Sequence, residues 1–361
     1  MSHDVIILGG GTAGSAAALA LARAGASVAL IEASAITAWR VGETLGAGAR
    51  PELMRLGVWE MHLQGGHLPC HGTVSAWGSG QMVDQDHVFN PHGSAWQLDR
   101  PLFESMLLTE AAKAGAVVLR GHPAQITRNA GSGGTWEVLA GQSVLHAPWL
   151  IDATGRRAFA ARHLGVQRQV LDDLVALHSL HAVSDPADRD SRTHLETEAE
   201  GWWYTSLLPG QRRVLSFQTD AALLPPEQAW RAPAWWAARF SHAPHLSELF
   251  RRHAITLAGS PALTSAHSGR LERFGGPGWL AIGDAAMSFD PVSGHGLLKA
   301  LRSAALAAEC LVHRPAQAVE ECAAAHEELW SDYLNARRAC YIAERRWPDA
   351  PFWQTRHRRQ V

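Results

Sequence analysis

Lysine is almost absent from this 361-residue chain: only Lys113 and Lys299 occur, and arginine supplies the rest of the positive charge. Any chemistry that needs a lysine therefore has two candidate positions. Cysteine is sparse as well. Cys70, Cys310, Cys322 and Cys340 form no C-x-x-C pair, so neither a zinc ribbon nor a redox dithiol is suggested. So little cysteine fits a reducing compartment, and a cytoplasmic location is expected. The net charge is only −2, so electrostatics give no reason to expect nucleic acid or an anionic membrane as partner. No apolar run approaches the length of a membrane span. The apolar run at residues 5–8 lacks a basic leader and a cleavage site before the glycines, so it reads as a buried strand rather than a signal peptide. No internal repeat is visible.

What is present is an ordinary globular composition, 47% hydrophobic, and enough length for two domains or one with a smaller insertion. Apolar periodicity predicts a strand over 4–8, a helix over 12–24 stopped by Gly25, and a strand over 27–32. Helical spacing recurs over 51–60. Asp99 and Pro101 mark the start of a helix over 101–114. Short strands follow over 117–119, 124–128, 136–139 and 149–152, with a turn at Gly131-Ser132-Gly133-Gly134. Further strands are predicted over 174–182, 202–208, 213–219 and 278–284. A Trp-rich helical piece is expected over 227–240, and helices over 296–311 and 316–345.

Gly9-Gly10-Gly11-Thr12-Ala13-Gly14 is a G-x-G-x-x-G between a strand and a helix. Gly9 permits the tight turn, Gly11 the close approach of a pyrophosphate, and Gly14 the packing of helix on sheet. The helix start, with Thr12 and Ala13, offers free N–H groups to phosphate. Glu32 ends the second strand, where a carboxylate can accept from both ribose hydroxyls and would repel a 2′-phosphate. NAD and FAD both remain open on this motif alone. A second motif points to FAD. Residues 279–286 form a strand ending in Gly283-Asp284, where a carboxylate can accept from a ribitol hydroxyl that NAD lacks. Asp290-Pro291-Val292-Ser293-Gly294-His295-Gly296 then opens a helix. Gly294 and Gly296 let the backbone lie close to a flat ring, and the helix start favours negative charge on a reduced flavin.

These motifs, with Arg40-Val41-Gly42-Glu43-Thr44, Asp99-Arg100-Pro101 and Asp152-Ala153-Thr154-Gly155-Arg156, resemble the FAD-dependent aromatic monooxygenase superfamily, which includes the flavin-dependent halogenases. The likeness is nearest to flavoproteins that oxidise tryptophan in protein substrates during quinone-cofactor maturation. The resemblance implies an α/β fold: a Rossmann-like FAD-binding domain with an interleaved β-rich substrate domain and a helical C-terminus. The expected boundaries are 1–70, 95–170 and 265–345 for the FAD-binding domain, 71–94 and 171–264 for the substrate domain, and 346–361 for a tail. The resemblance also implies that Arg40 and Arg100 lie along the FAD and that the loop from Pro291 to Gly296 faces the isoalloxazine.

For the chemistry, hydroxylation of an aromatic substrate through a flavin C4a-hydroperoxide is the leading expectation. The substrate is either a small molecule or a Trp-type side chain of a peptide or protein. His295, Glu43 and Pro291 are the catalytic candidates by motif position, and Trp202, Trp203 and Tyr204 the substrate-side candidates, with core packing as their competing role. Halogenation is an alternative, but the resembled halogenases use a lysine after the Gly-Glu segment. Residues 60–100 contain none, Lys113 and Lys299 fall in the wrong helices, and no W-x-W-x-I-P run occurs. The motifs also leave room for an FAD-dependent alkene reductase and for a flavoprotein maturation factor that acts on a partner protein. No second G-x-G-x-x-G serves NAD(P)H, so the reductant acts directly without its own Rossmann domain or through a separate flavin reductase. His62, His67 and His71 beside Cys70 do not have metal-site spacing, and no metal is expected. The basic, aromatic end is expected to be a helix cap with a solvated tail, with contact to an acidic partner or packing over the substrate opening as the alternative.

Overall fold

The computed structural model describes residues 1–87, 90–128 and 134–358; the turn expected at Gly131-Ser132-Gly133 and Arg359 of the basic end lie outside the described residues. The fold is α/β. Val5–Leu8 pairs in parallel with Val28–Glu32 on one side and Trp149–Asp152 on the other, and Val117–Arg120 and Trp279–Ala281 extend the sheet outward. In chain order these strands lie third, second, first, fourth, fifth, the doubly wound arrangement. Val5–Leu8 is apolar throughout because both faces of the sheet are covered. Val5 and Ile7 pack under the helices Thr12–Arg23 and Gly296–His313. Ile6 and Leu8 pack with Trp136, Val138 and Leu145 of a three-stranded meander on the other face. Alanines at 16, 17, 300, 304 and 307 let those two helices lie close together over the sheet. The helix Arg100–Lys113 begins as its residues dictate: Asp99 accepts from the Leu102 N–H at 3.1 Å, with Pro101 in the first turn.

A seven-stranded sheet stands against this layer, in the order Ala262–Ser265, Leu174–Ala182, Arg212–Asp220, Gly201–Leu208, Thr193–Glu198, Gly72–Ala76, Val83–Asp86. Its alternation is strict. Trp203, Phe217, Leu215 and Leu177 point to one face and pack with Trp236, Phe240, Leu246 and Phe250 of two covering helices. His178, Ser216 and Tyr204 form one row across three strands on the opposite face, which is turned toward the dinucleotide layer.

Four local expectations change. The helical spacing over 51–60 resolves into Arg50–Arg55 and Trp59–Gln64, broken at Gly57 (φ +62°). The piece expected over 227–240 is helical only from Pro233. Before it lies a 3-10 segment, Pro226–Arg231, with left-handed Glu227 and Gln228, and Ala232 is extended because a residue before proline avoids the helical region. The strand expected over 278–284 is Trp279–Ala281, and Gly283-Asp284 form a turn beyond it. The described part of the tail packs back onto the fold. Pro351–Arg358 is a helix whose Phe352 and Trp353 are wholly buried against Trp202, Tyr341 and Leu174. Trp353 Nε1 donates to the Glu198 carbonyl at 2.8 Å, and Arg356 makes a two-pronged pair with Asp220 at 2.7 and 2.9 Å. Burying such aromatics contributes about 1.5–3 kcal/mol each, and Asp220 compensates the Arg356 charge buried with them.

Candidate functional site

The glycine turn is built by close backbone approach. Gly9 has φ +101°, and a Cβ there would lie 2.4 Å from the Ala153 carbonyl oxygen; a Cβ on Gly14 would lie 1.9 Å from the Gly9 carbonyl oxygen. Gly11 differs, because a Cβ there would meet only the Arg40 guanidinium, at 3.3 Å. Ala13 packs beneath Gly283, and Thr12 is buried. The helix Thr12–Arg23 has no side-chain cap, so its first N–H groups are left for a ligand. Glu32 reaches back over the turn, accepting from the N–H groups of Gly10 at 2.6 Å and Ser34 at 2.8 Å.

Glu104 was not singled out from the sequence, yet it ties this region together. It is buried and accepts from Arg100 Nη2 at 2.6 Å and from the Thr12 hydroxyl at 3.1 Å, and it pairs with Arg40. Burial works to raise its pKa, but Arg100 and Arg40 hold it below the ordinary carboxylate value. Arg40 remains half exposed beside Gly11. Arg100 is buried under the loop and donates to the Gly42 carbonyl at 2.6 Å. Its four-residue spacing to Glu104 on one helix face was the available signal.

Asp284 projects from the turn and accepts from the buried Lys299 Nζ at 2.6 Å, with Arg156 Nε 3.7 Å away. Burial pushes its pKa up, but Lys299 and Arg156 outweigh this and bring it down to about 2. Lys299 also donates to the Met287 carbonyl at 2.5 Å, so it serves as an internal strut. The next loop is anchored from below. Asp290 is fully buried; it accepts from the Val292 N–H at 3.0 Å, the Tyr341 hydroxyl at 2.8 Å and Arg337 Nε at 3.2 Å. Pro291 opens a single 3-10 turn and is exposed, as is His295. Loss of water around the His295 ring and the nearby Arg302 lower its pKa. Gly294 (φ +62°) and Gly296 face open space, and the helix Gly296–His313 starts without a side-chain cap.

Glu43 lies between this loop and the seven-stranded sheet. The Thr44–Leu45 strand pairs with Ala95–Gln97, and the Glu43 carbonyl accepts from the Leu98 N–H at 3.0 Å. Glu43 is 2% exposed; one carboxyl oxygen accepts from the Gly42 N–H at 3.0 Å and the Tyr204 hydroxyl at 3.4 Å, and the other has no partner among the described residues. Burial pushes its pKa up to about 7 against the pull of Arg100 and these hydrogen bonds. Burial and the Glu43 charge push the Tyr204 hydroxyl well above its ordinary value. Trp202, on the same face, donates to the Tyr341 hydroxyl at 3.2 Å and packs in the cluster that holds the tail. Trp203 points the other way into the packed core, away from Glu43. The histidines of residues 62–71 separate. His62 and His67 lie with ring centroids 4.9 Å apart, tilted by 33°, beside Trp96 and Phe103 as packing groups, burial driving the His62 pKa down to about 3, while His71 bonds to Ser94.

The glycine turn meets the Gly283 turn at Ala13, and the helices that follow Gly11 and His295 both start without side-chain caps, an arrangement suited to a phosphate-bearing flavin dinucleotide. A family model described as FAD binding domain matches residues 2–328. LodB from Marinomonas mediterranea, provisionally described as an FAD-dependent oxidoreductase, is 28% identical over 99% of this chain and 97% of its own. In fold, the chain is similar to the myxobacterial chondrochloren halogenase CndH (TM-score 0.86, 21% identity, 98% of this chain and 86% of that one). It is also similar to the peptidyl tryptophan dihydroxylase QhpG (TM-score 0.79, 25% identity, 99% of this chain and 79% of that one). The chain thus belongs to the FAD binding domain family, as an FAD-dependent oxidoreductase of the aromatic monooxygenase and halogenase-like superfamily.

Proposed function

We propose that this protein is a monooxygenase that hydroxylates an aromatic side chain presented by a peptide or protein. In this reading Gly9, Gly11, Thr12, Ala13 and Gly14 hold the pyrophosphate of FAD, and Glu32 its adenosine ribose. Arg40 and Arg100 flank the dinucleotide, Asp284 accepts from the ribitol, and Gly294 and Gly296 admit the ring. Bound FAD supplies two-electron transfer and the activation of O₂. The aromatic C–H becomes C–OH with one oxygen of O₂, and the other leaves as water. The two electrons come from NAD(P)H, directly or through a separate flavin reductase.

The observation that carries the proposal is Glu43. A buried carboxyl group with a pKa of about 7, one free oxygen and a tyrosine hydroxyl on the other suits a general base near neutral pH. It would take the proton released when the ring regains aromaticity, with Tyr204 fixing its orientation. Glu43 itself is buried, 2% exposed. A peptidyl substrate is proposed because QhpG, matched over nearly the whole chain, acts on peptidyl tryptophan. The sparse cysteine is the support for action in the cytoplasm. Among the described residues no helix is long and apolar enough to cross a membrane.

Likeness to CndH favours halogenation as the second reading. Against it, Lys113 is exposed on an outer helix and Lys299 is locked under Asp284, so neither supplies a free amine beside Glu43. The test is product mass from a tryptophan-containing peptide incubated with the FAD-loaded protein, reductant, O₂ and bromide. A gain of oxygen supports hydroxylation, and a bromine isotope pattern overturns it.

A further inference from the structure

Buried polar atoms in folded proteins almost always have partners, and leaving one bare is costly. Several bare ones collect in a single place here. Glu43 Oε1, Gln218 Oε1, His178 Nδ1 and Trp39 Nε1 are all buried without a hydrogen-bond partner among the described residues. They are contiguous. Tyr204 joins Glu43 to the row in which it lies beside Ser216, and Ser216 lies beside His178. Gln218 Nε2 donates to Ser216 Oγ at 2.7 Å, which turns its carbonyl oxygen away from that bond. The His178 ring lies 5.7 Å from the Trp39 ring. Gln218 and Ser216 are wholly buried, and His178 is 5% exposed.

The patch lies on the face of the seven-stranded sheet that carries Tyr204, where Glu43 and Trp39 meet it. It offers bare acceptors on Gln218 and Glu43 beside the His178 ring and the Trp39 indole, whose own N–H is a bare donor, and so suits a flat ring that carries a hydrogen-bond donor. We propose that Gln218, oriented by Ser216 and walled by His178 and Trp39, is the specificity-determining acceptor for the N–H or O–H of the aromatic substrate. This rests on the reading of the site as an aromatic substrate pocket, but it concerns binding and does not depend on which group is transferred.

The test is therefore read without turnover. Indole and 1-methylindole, which lacks the donor, are titrated into the FAD-loaded protein under anaerobic conditions, and binding is followed by the change in flavin absorbance. Indole is expected to bind about tenfold more tightly than 1-methylindole, the value of one hydrogen bond to a buried acceptor. Gln218→Met should abolish the preference at unchanged FAD content, and Ser216→Ala, a smaller change, should weaken it. Equal affinity of the two probes in the unaltered protein overturns the proposal. So does absence of binding by either probe at millimolar concentration, or loss of FAD rather than of preference in both variants. If indole is preferred but the peptide product carries bromine, the acceptor role stands and hydroxylation falls.

Discussion

Replacing Glu43 with glutamine isolates the one titration on which the proposed chemistry depends. Glutamine keeps the shape and the acceptor oxygen but cannot ionise. In the folded protein the Glu43 carboxyl has a pKa of about 7, against an ordinary value of 4.5. Between these values the folded state holds a proton that the unfolded chain has released. Stability therefore falls as the pH rises through this window, and flattens above about 7. The gap of some 2.5 pKa units, at about 1.4 kcal/mol each, gives about 3 kcal/mol as the cost of ionising Glu43 in place. Glu43→Gln removes that cost. The variant should match the unaltered protein near pH 4.5 and exceed it by about 3 kcal/mol near pH 8, with the excess growing through the window. Thermal and denaturant unfolding of both proteins across that range, at one ionic strength and both with and without FAD, measures the difference directly. Other titrations cancel in the comparison. Parallel curves would refute the assignment of a neutral-range pKa to Glu43, and with it the argument for a general base. The same variant should lose the rise of kcat with pH through about 7 that the unaltered enzyme is expected to show.

Gly14→Ala should cost most of the FAD affinity, because its Cβ would sit 1.9 Å from a backbone oxygen and push the helix start off the turn; flavin titration reads this. Arg213 and Asp188 form a fully buried pair at 2.7 Å, so Arg213→Met should destabilise the protein by about 3–5 kcal/mol by stranding a buried carboxylate. Denaturant unfolding that moves by under 1 kcal/mol would contradict that expectation. Truncation after Arg345 removes Phe352, Trp353 and the Arg356–Asp220 pair, and should lower the unfolding midpoint sharply while exposing Trp202 and Tyr341 to quenchers of fluorescence. An unchanged midpoint would restore the picture of a solvated tail.

The dinucleotide half of the molecule was legible because its signals are local. A strand, a glycine turn, a helix and Glu32 follow one another within a few dozen residues, and each residue type has one backbone reason to be there. Asp99 was read as a helix cap on similar grounds, and the hydrogen bond to Leu102 is present. What was missed is nonlocal. Glu104 matters through Thr12, 92 residues away, and through Arg40. Gln218 and His178 matter because strands far apart in the chain align them in adjacent rows. The tail was misjudged because its arginines were weighed as charges. Arg356 instead spends its charge on Asp220 with Phe352 against its guanidinium plane, and only the partner strand reveals that. Of the tryptophan pair, alternation implied that Trp202 and Trp203 must face opposite ways, but which one faced the site depended on the sheet it joined.

Isotopically labelled dioxygen offers the most direct test of the central claim. The FAD-loaded protein is given reductant, labelled O₂, bromide and a tryptophan-containing peptide, and the intact product is weighed and fragmented. The account predicts oxygen from the labelled gas, placed on the aromatic ring and unaffected by bromide. A product carrying bromine, oxygen drawn only from water, or a gain of two hydrogens without oxygen would contradict it.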